Sequence, residues 1–141
     1  MKKHSFPVRV YYEDTDAAGI VYYANYLKFA ERARTEWLRG LGFDQSVLMK
    51  EEGLGFVVRH CAIDFLAPAK LDDLITIETR LQELGKVRMT MTQKVTLGDK
   101  DLAILTVRLA CVNAKGKPAA LPEVLLKKIA KSNPVHGHAE E

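Results

Sequence analysis

The residues best placed to do chemistry lie in one stretch, Tyr11 to Arg34, YYEDTDAAGIVYYANYLKFAERAR. Glu13, Asp14 and Asp16 form an acidic turn, Gly19 supplies a pivot, and a segment of helical period follows. A helix start presents unpaired backbone N–H groups and a partial positive charge, so it can hold a developing oxyanion while a neighbouring Asp attacks a carbon or activates water. On residue types alone the plainer reading of Asp16 is a turn or N-cap residue, because Asp is favoured just before helices. Glu13 and Asp14 read as turn formers whose charge opposes ionisation of Asp16, while the helix end favours it.

The elements around this stretch follow from periodicity. Val8, Val10 and Tyr12 alternate with Arg9 and Tyr11 between Pro7 and Tyr12, the pattern of a half-buried strand. After the turn, Tyr26, Phe29, Ala30, Ala33 and Trp37 recur at three- and four-residue intervals, which predicts an amphipathic helix of about five turns. Gly40 and Gly42 end it. Its polar side carries Lys28, Glu31, Arg32 and Glu36, read as a solvated face. A short helix is expected around Gln45 to Glu51, broken by Gly53. Four strand-like runs come next: Phe56–Leu66, Leu74–Leu84, the alternating run from Val87 to Thr96, and Leu102–Asn113, the most apolar. Met89 and Met91 are expected in the core, and His60 in a core or interface position. Pro122 opens a short C-terminal helix.

One long helix beside five antiparallel strands argues for an α+β layer in which the sheet curls around the helix and buries its Tyr26-Phe29-Ala33-Trp37 stripe. The sheet edges left over invite pairing, so a homodimer joined edge to edge is expected. With 141 residues the chain reads as one domain, residues 1–131, with a flexible polar tail over 132–141. Composition is that of an ordinary soluble protein, 48% hydrophobic and 28% charged with a net charge of +3, and the basic residues are too scattered for a nucleic-acid arm. No leader-like or membrane-spanning apolar run is present, so a cytoplasmic location is expected. Cys61 and Cys111, far apart in apolar runs, read as reduced core thiols. His136 and His138 lack further ligands, and no metal is expected.

The string Tyr12-Glu13-Asp14-Thr15-Asp16-Ala17-Ala18-Gly19-Ile20-Val21-Tyr22-Tyr23-Ala24-Asn25-Tyr26, with Ala30-Glu31-Arg32-Ala33-Arg34-Thr35-Glu36, Phe56-Val57-Val58-Arg59, Leu71-Asp72-Asp73 and Ala120-Leu121-Pro122, resembles the hotdog-fold thioesterases of the 4-hydroxybenzoyl-CoA thioesterase family. Within it, the likeness is to the bacterial acyl-CoA thioesterases associated with the Tol-Pal system. The resemblance implies a hotdog fold, a curled five-stranded sheet around one long helix with a short C-terminal helix, and hydrolysis of an acyl-CoA to free acid and CoA. It assigns the catalytic carboxylate to Asp16, as nucleophile or general base, and polarisation of the thioester carbonyl to the backbone N–H of Tyr23. Asn25 would orient the Asp loop or a water, and Gly19 would line the substrate. Lys86 and Arg88, and more weakly Arg59, would meet the phosphates of CoA. Glu31 and Glu36 enter because another hotdog branch carries its catalytic carboxylate on the long helix, yet surface roles lead for both.

Many members of the Tol-Pal branch have His where this chain has Tyr23, so only a backbone role carries over there, and the phenol resembles the 4-hydroxybenzoyl branch. No cofactor is implied beyond the CoA of the substrate. A homodimer or homotetramer is implied, and by resemblance only, an acyl carrier protein or the Tol-Pal-linked envelope machinery as partner; no nucleic acid is. The alternatives are a hotdog hydratase or dehydratase, which needs an acid-base His absent near the acidic turn, and a non-catalytic acyl-binding scaffold.

Overall fold

A computed structural model of the chain describes residues 2–132. The elements run β1 (Lys3–Arg9), α1 (Asn25–Gly40), α2 (Gln45–Glu52), β2 (Leu54–Phe65), β3 (Leu74–Leu84), β4 (Arg88–Leu97), β5 (Lys100–Asn113) and α3 (Glu123–Ser132), with a 3-10 turn at Tyr12–Asp14. The tail expected from residue 132 is helical at Ser132, and its remainder, with His136 and His138, lies outside the described residues. The apolar stripe of α1 is buried as its period requires: Phe29, Ala30 and Ala33 are 0% exposed and Tyr26 is 3% exposed. Gly53 ends α2 in the left-handed conformation, φ 66°.

All strands belong to one antiparallel sheet in the order β1-β3-β4-β5-β2. The face toward α1 is built from alternate residues of the three central strands, among them Ile75, Ile77, Met89, Met91, Leu105 and Val107, all buried. Three register shifts interrupt the ladder, one in β2 between Val58 and His60, one in β3 between Leu81 and Glu83, and one where Val95 and Thr96 of β4 meet Ala103 and Asp101 of β5.

The expectation of a curled sheet wrapped around the helix is corrected here, although the α+β, hotdog-like arrangement of five strands and one long helix stands. β1 and β2 are opposite edges, no pairing joins them, and the sheet stays open. The reason is the position of α1, which packs chiefly over β1 and β3 and leaves β2 nothing apolar to close upon. Val58 and Phe65 lie opposite the buried Leu109 and Ala103 and so face inward, yet each is 49% exposed. The same placement corrects the reading of the cysteines, since Cys111 is buried but Cys61, on β2, is exposed. His60 is likewise an exposed residue of β2 rather than a core one.

Candidate active site

The acidic turn folds into a tight hairpin loop. Thr15 bridges Val21, the Asp16 N–H donates to the Ile20 carbonyl at 2.9 Å, and the Gly19 N–H donates to the Asp16 carbonyl at 3.0 Å. Gly19 makes this closure with φ 80°, a region that costs glycine little and other residues more, although a side chain there would meet no atom within 4 Å. The exposed Asp16 side chain accepts one bond from within its own loop, from the Ala18 N–H at 2.8 Å.

Asp14, read from the sequence only as a turn former, is the buried acid of the motif at 7% exposure. Its carboxylate accepts from the Tyr11 N–H at 2.9 Å and from Asn25 Nδ2 at 3.0 Å, and its carbonyl accepts from the Tyr22 N–H at 2.9 Å. Asn25 is the first residue of α1 and is itself buried. One side chain therefore ties the loop that carries Asp16 to the start of the helix. The opposite wall is the β2–β3 connection: the Val21 N–H donates to the Ala69 carbonyl at 2.9 Å, Ile20 bridges Lys70, and the Ala69 N–H donates to the Tyr26 hydroxyl at 3.1 Å. Burial pushes the Tyr26 phenol above its usual pKa, with the bond from Ala69 working the other way, so the hydroxyl stays neutral and free to accept.

Between loop and helix, the Tyr22 and Asn25 N–H groups are used, the second by the Tyr22 carbonyl at 2.8 Å. The Tyr23 N–H donates to no partner among the described residues. It is an open donor at a helix start, the kind of group that can polarise a carbonyl. Beside it stands an aromatic wall: Tyr22 and Tyr23 ring centroids are 5.0 Å apart, Tyr23 and Phe65 6.2 Å, and Tyr26 and Phe65 5.7 Å. Tyr23 is 64% exposed and Leu66 56% exposed, so the wall borders an open groove between α1 and β2 rather than a filled core. Neither Phe65 nor Leu66 was singled out from the sequence, where they read as the end of an ordinary apolar strand.

Asp16, Gly19, Tyr23 and Asn25 are thus gathered at one end of the molecule. The expected phosphate-binding cations are not. Lys86 lies in the turn between β3 and β4, where its carbonyl accepts from the Leu121 N–H. Arg59 and Arg88 line a depression on the face of the sheet turned away from α1. Along β2 that depression, at His60, is about 17 Å from Phe65 at ~3.3 Å per residue. Glu31 sits near the groove on α1, next to Arg34, whereas Glu36 is on the surface and pairs with Arg39. Arg34 reaches inward, its Nη1 donating to Gln93 Oε1 at 3.0 Å. Among the described residues no group of three His, Cys, Asp or Glu side chains could hold a metal ion, and no helix is long and apolar enough to cross a membrane.

An open carboxylate and a free amide on a loop locked to a helix start, under an open sheet with one long helix, define a class. Residues 10–129 match the thioesterase-like superfamily, and the chain belongs to it. Acyl-CoA thioesterase YbgC of Haemophilus influenzae is 51% identical over 120 residues, covering 84% of this chain and 88% of that protein. Acyl-CoA thioester hydrolase YbgC of Escherichia coli is 44% identical over 123 residues, covering 86% and 91%. Among solved structures, a probable thioesterase from Bartonella henselae superposes with a TM-score of 0.83 at 45% identity, covering 86% of this chain and all of that one.

Proposed function

We propose that the protein is an acyl-CoA thioesterase: water and an acyl-CoA give a free acid and CoA, with the thiol sulfur taking the proton. The two curated relatives named above carry that activity in their names. The observation that carries the reading for this chain is the exposed Asp16 carboxylate on a loop pinned through Asp14 to Asn25, two residues before which the Tyr23 N–H has no partner among the described residues. In the proposed mechanism the Tyr23 amide polarises the carbonyl, and Asp16 either attacks the carbonyl carbon or removes a proton from the water that does. A thiolate is a good leaving group, so no strong acid is required. Asn25 acts through Asp14, as a positioning residue.

The proposed assembly completes the site. β2 is a twelve-residue edge strand whose inward residues are half exposed, and pairing it with a second copy covers both the edge and the groove. Antiparallel pairing about the strand middle brings the Phe65 end of one protomer to the Leu54 end of its partner. Arg88 shares that second end, in register with Ala110 and through it Val57, and Lys86 adjoins it. Cations remote from Asp16 within one chain thereby come toward the partner's Asp16, where the phosphates of CoA would emerge. Sedimentation showing only monomer at micromolar concentration would remove this part. Acyl carrier protein, whose thioester has the same chemistry, is the further partner proposed by resemblance, with the Tol-Pal-linked envelope proteins as its setting and the cytoplasm as its place.

Free-thiol release from a panel of acyl-CoAs tests the activity. Asp16→Asn is expected to lower kcat about 10²–10⁴-fold without shifting the melting temperature, since the side chain's one partner among the described residues is the Ala18 amide. Equal turnover in the variant would take Asp16 out of the mechanism, and binding without turnover in the wild type would make the protein a scaffold.

A further inference from the structure

Among the described residues only one non-glycine has a positive φ: Asp72, at 73°, in the connection from β2 to β3. The Asp73 N–H donates to the Lys70 carbonyl at 3.1 Å, which makes Asp72 the third residue of a β-turn, where a positive φ favours Gly or Asn. Asp adopts that conformation at some cost, and such residues persist where the surroundings fix them. Here they do. The Asp72 carbonyl accepts from Arg9 Nη1 at 2.7 Å and its N–H donates to the Val10 carbonyl at 3.0 Å, while the Val10 N–H donates to the Asp73 carbonyl at 2.9 Å. Val10 is fully buried, so this side of the turn is tied to the core. Asp73 closes the turn a second time, its Oδ2 accepting from the Lys70 N–H at 2.9 Å.

The other side of the turn holds the loop that carries Asp16. The Leu71 N–H donates to the Gly19 carbonyl at 3.3 Å, and Lys70 bridges Ile20. Gly19 passes the constraint on, because its own N–H donates to the Asp16 carbonyl. Successive amides of one turn thus serve different elements, Leu71 the loop and Asp72 the backbone just after β1. Among the described residues the Asp16 side chain is bonded only by the Ala18 amide, inside its own loop, so its aim is set by where the loop backbone is held. The Lys70 N–H has no acceptor among the described residues other than Asp73 Oδ2. Removing that carboxylate therefore leaves the left-handed Asp72 with less to fix it, next to the amide that grips Gly19.

We propose that Asp73 is a positioning residue for the reaction at Asp16: its carboxylate sets the Lys70–Asp73 turn, and the Leu71 N–H of that turn fixes the Gly19 carbonyl and with it the loop that aims Asp16. The kinetic arm of the test rests on the thioesterase reading. Misplacing a reacting group by about 1 Å can cost ~10²-fold, so Asp73→Ala is expected to lower kcat 10- to 100-fold at a temperature where it is fully folded, with KM within about twofold of wild type. Asp73→Asn keeps an oxygen that accepts from the Lys70 N–H and should recover most of the loss. Leu71→Pro separates the loop contact from the turn itself. Proline suits the second position of a β-turn, and Lys70 before it is already in an extended bridge, so the turn is kept while the donor to Gly19 is lost. Its kcat should fall as in Asp73→Ala with the melting temperature lowered by no more than about 2 °C, and it carries the test should Asp73→Ala fail to fold.

A second arm needs no substrate. The Asp16 and Gly19 amides are both bonded within the loop, and their hydrogen exchange, read by NMR on the full chain, should be about tenfold faster in Asp73→Ala and in Leu71→Pro, with the amides of Phe29 and Ala33 in α1 unmoved. Unchanged exchange at Asp16 and Gly19 overturns the proposal, and so does faster exchange spread evenly over loop and α1, which is the mark of a residue that only stabilises the fold. Wild-type kcat in folded Asp73→Ala or Leu71→Pro, or an equal loss in Asp73→Ala and Asp73→Asn, overturns it from the kinetic side. A wild type that releases no thiol from any acyl-CoA would sink the thioesterase reading, and the exchange arm would still decide whether Asp73 holds the loop.

Discussion

Replacing Asn25 with Ala tests whether the loop that carries Asp16 is held from the helix. The substitution deletes the bond from Asn25 Nδ2 to Asp14 Oδ1, 3.0 Å long and buried. A hydrogen bond to a charged group contributes about 1.5–3 kcal/mol. The loss is not shared with water, because Asp14 is 7% exposed and would keep only the Tyr11 N–H on its carboxylate. Ala is the better helix former by about 0.5–0.7 kcal/mol, which offsets part of the cost. A net destabilisation of about 2 kcal/mol follows. With an unfolding entropy of ~2.1 cal/mol/K per residue, it lowers the melting temperature of this chain by about 7 °C. Thiol release should suffer beyond stability, because a carboxylate misplaced by about 1 Å can cost ~10²-fold; kcat is therefore expected to fall 10- to 100-fold at a temperature where the variant is fully folded. Thermal unfolding and single-temperature kinetics on the same preparation decide it. A variant melting within about 1 °C of wild type with unchanged kcat would refute the idea that Asn25 anchors the loop.

Two further substitutions probe the surroundings. Gln93→Leu removes a fully buried amide that accepts from Arg34 and donates to the Ala30 carbonyl and Thr79 Oγ1, each at 3.0 Å; leaving the Arg34 guanidinium desolvated should destabilise by about 3 kcal/mol in urea unfolding, and a loss below about 1 kcal/mol would mean that water takes over its bonds. His4 has its pKa lowered by burial, against the raising influence of Glu36, and its Nδ1 has no partner among the described residues. The unfolded chain therefore takes up the proton first. Stability should be full above the unfolded value near 6.5 and fall as pH drops through the lower folded value. His4→Leu should flatten that fall, and parallel pH profiles for the two proteins would contradict it.

Periodicity was enough for the elements after the acidic turn, whereas the first strand, expected between Pro7 and Tyr12, runs Lys3–Arg9 and Tyr12 opens a 3-10 turn. The Tyr26-Phe29-Ala33-Trp37 stripe had to be buried, and Leu74–Leu84 has the strand limits that its alternation predicts. The failures come where the third dimension decides. Phe56, Val58, Cys61, Ile63 and Phe65 have the pattern of a buried strand face, but α1 stands over the other half of the sheet and leaves Val58, Cys61 and Phe65 exposed. Nothing local distinguishes Asp14 from Asp16; the buried one is chosen by Asn25, 11 residues away. Arg108 is a lone cation amid apolar neighbours in the sequence, and the depression it lines with Arg59 and Arg88 exists only through strand order. The role expected of Asp16 came from the family pattern, and that the Tyr22 N–H is occupied while the Tyr23 N–H has no partner among the described residues is visible only in the fold.

The stitching of Val21 and Tyr26 to Ala69 has a consequence for how the chain is made. Tyr26 and Ala69 are separated by 43 positions, so a nascent chain delivers the whole acidic motif long before it delivers the backbone that braces it. Closing a loop of that length is an entropic toll met late, after the strands that flank it have found one another. A ribosome-tethered fragment ending before Ala69 would hold the whole acidic motif and its local bonds, without the backbone that ties Val21 and Tyr26 to the rest of the fold.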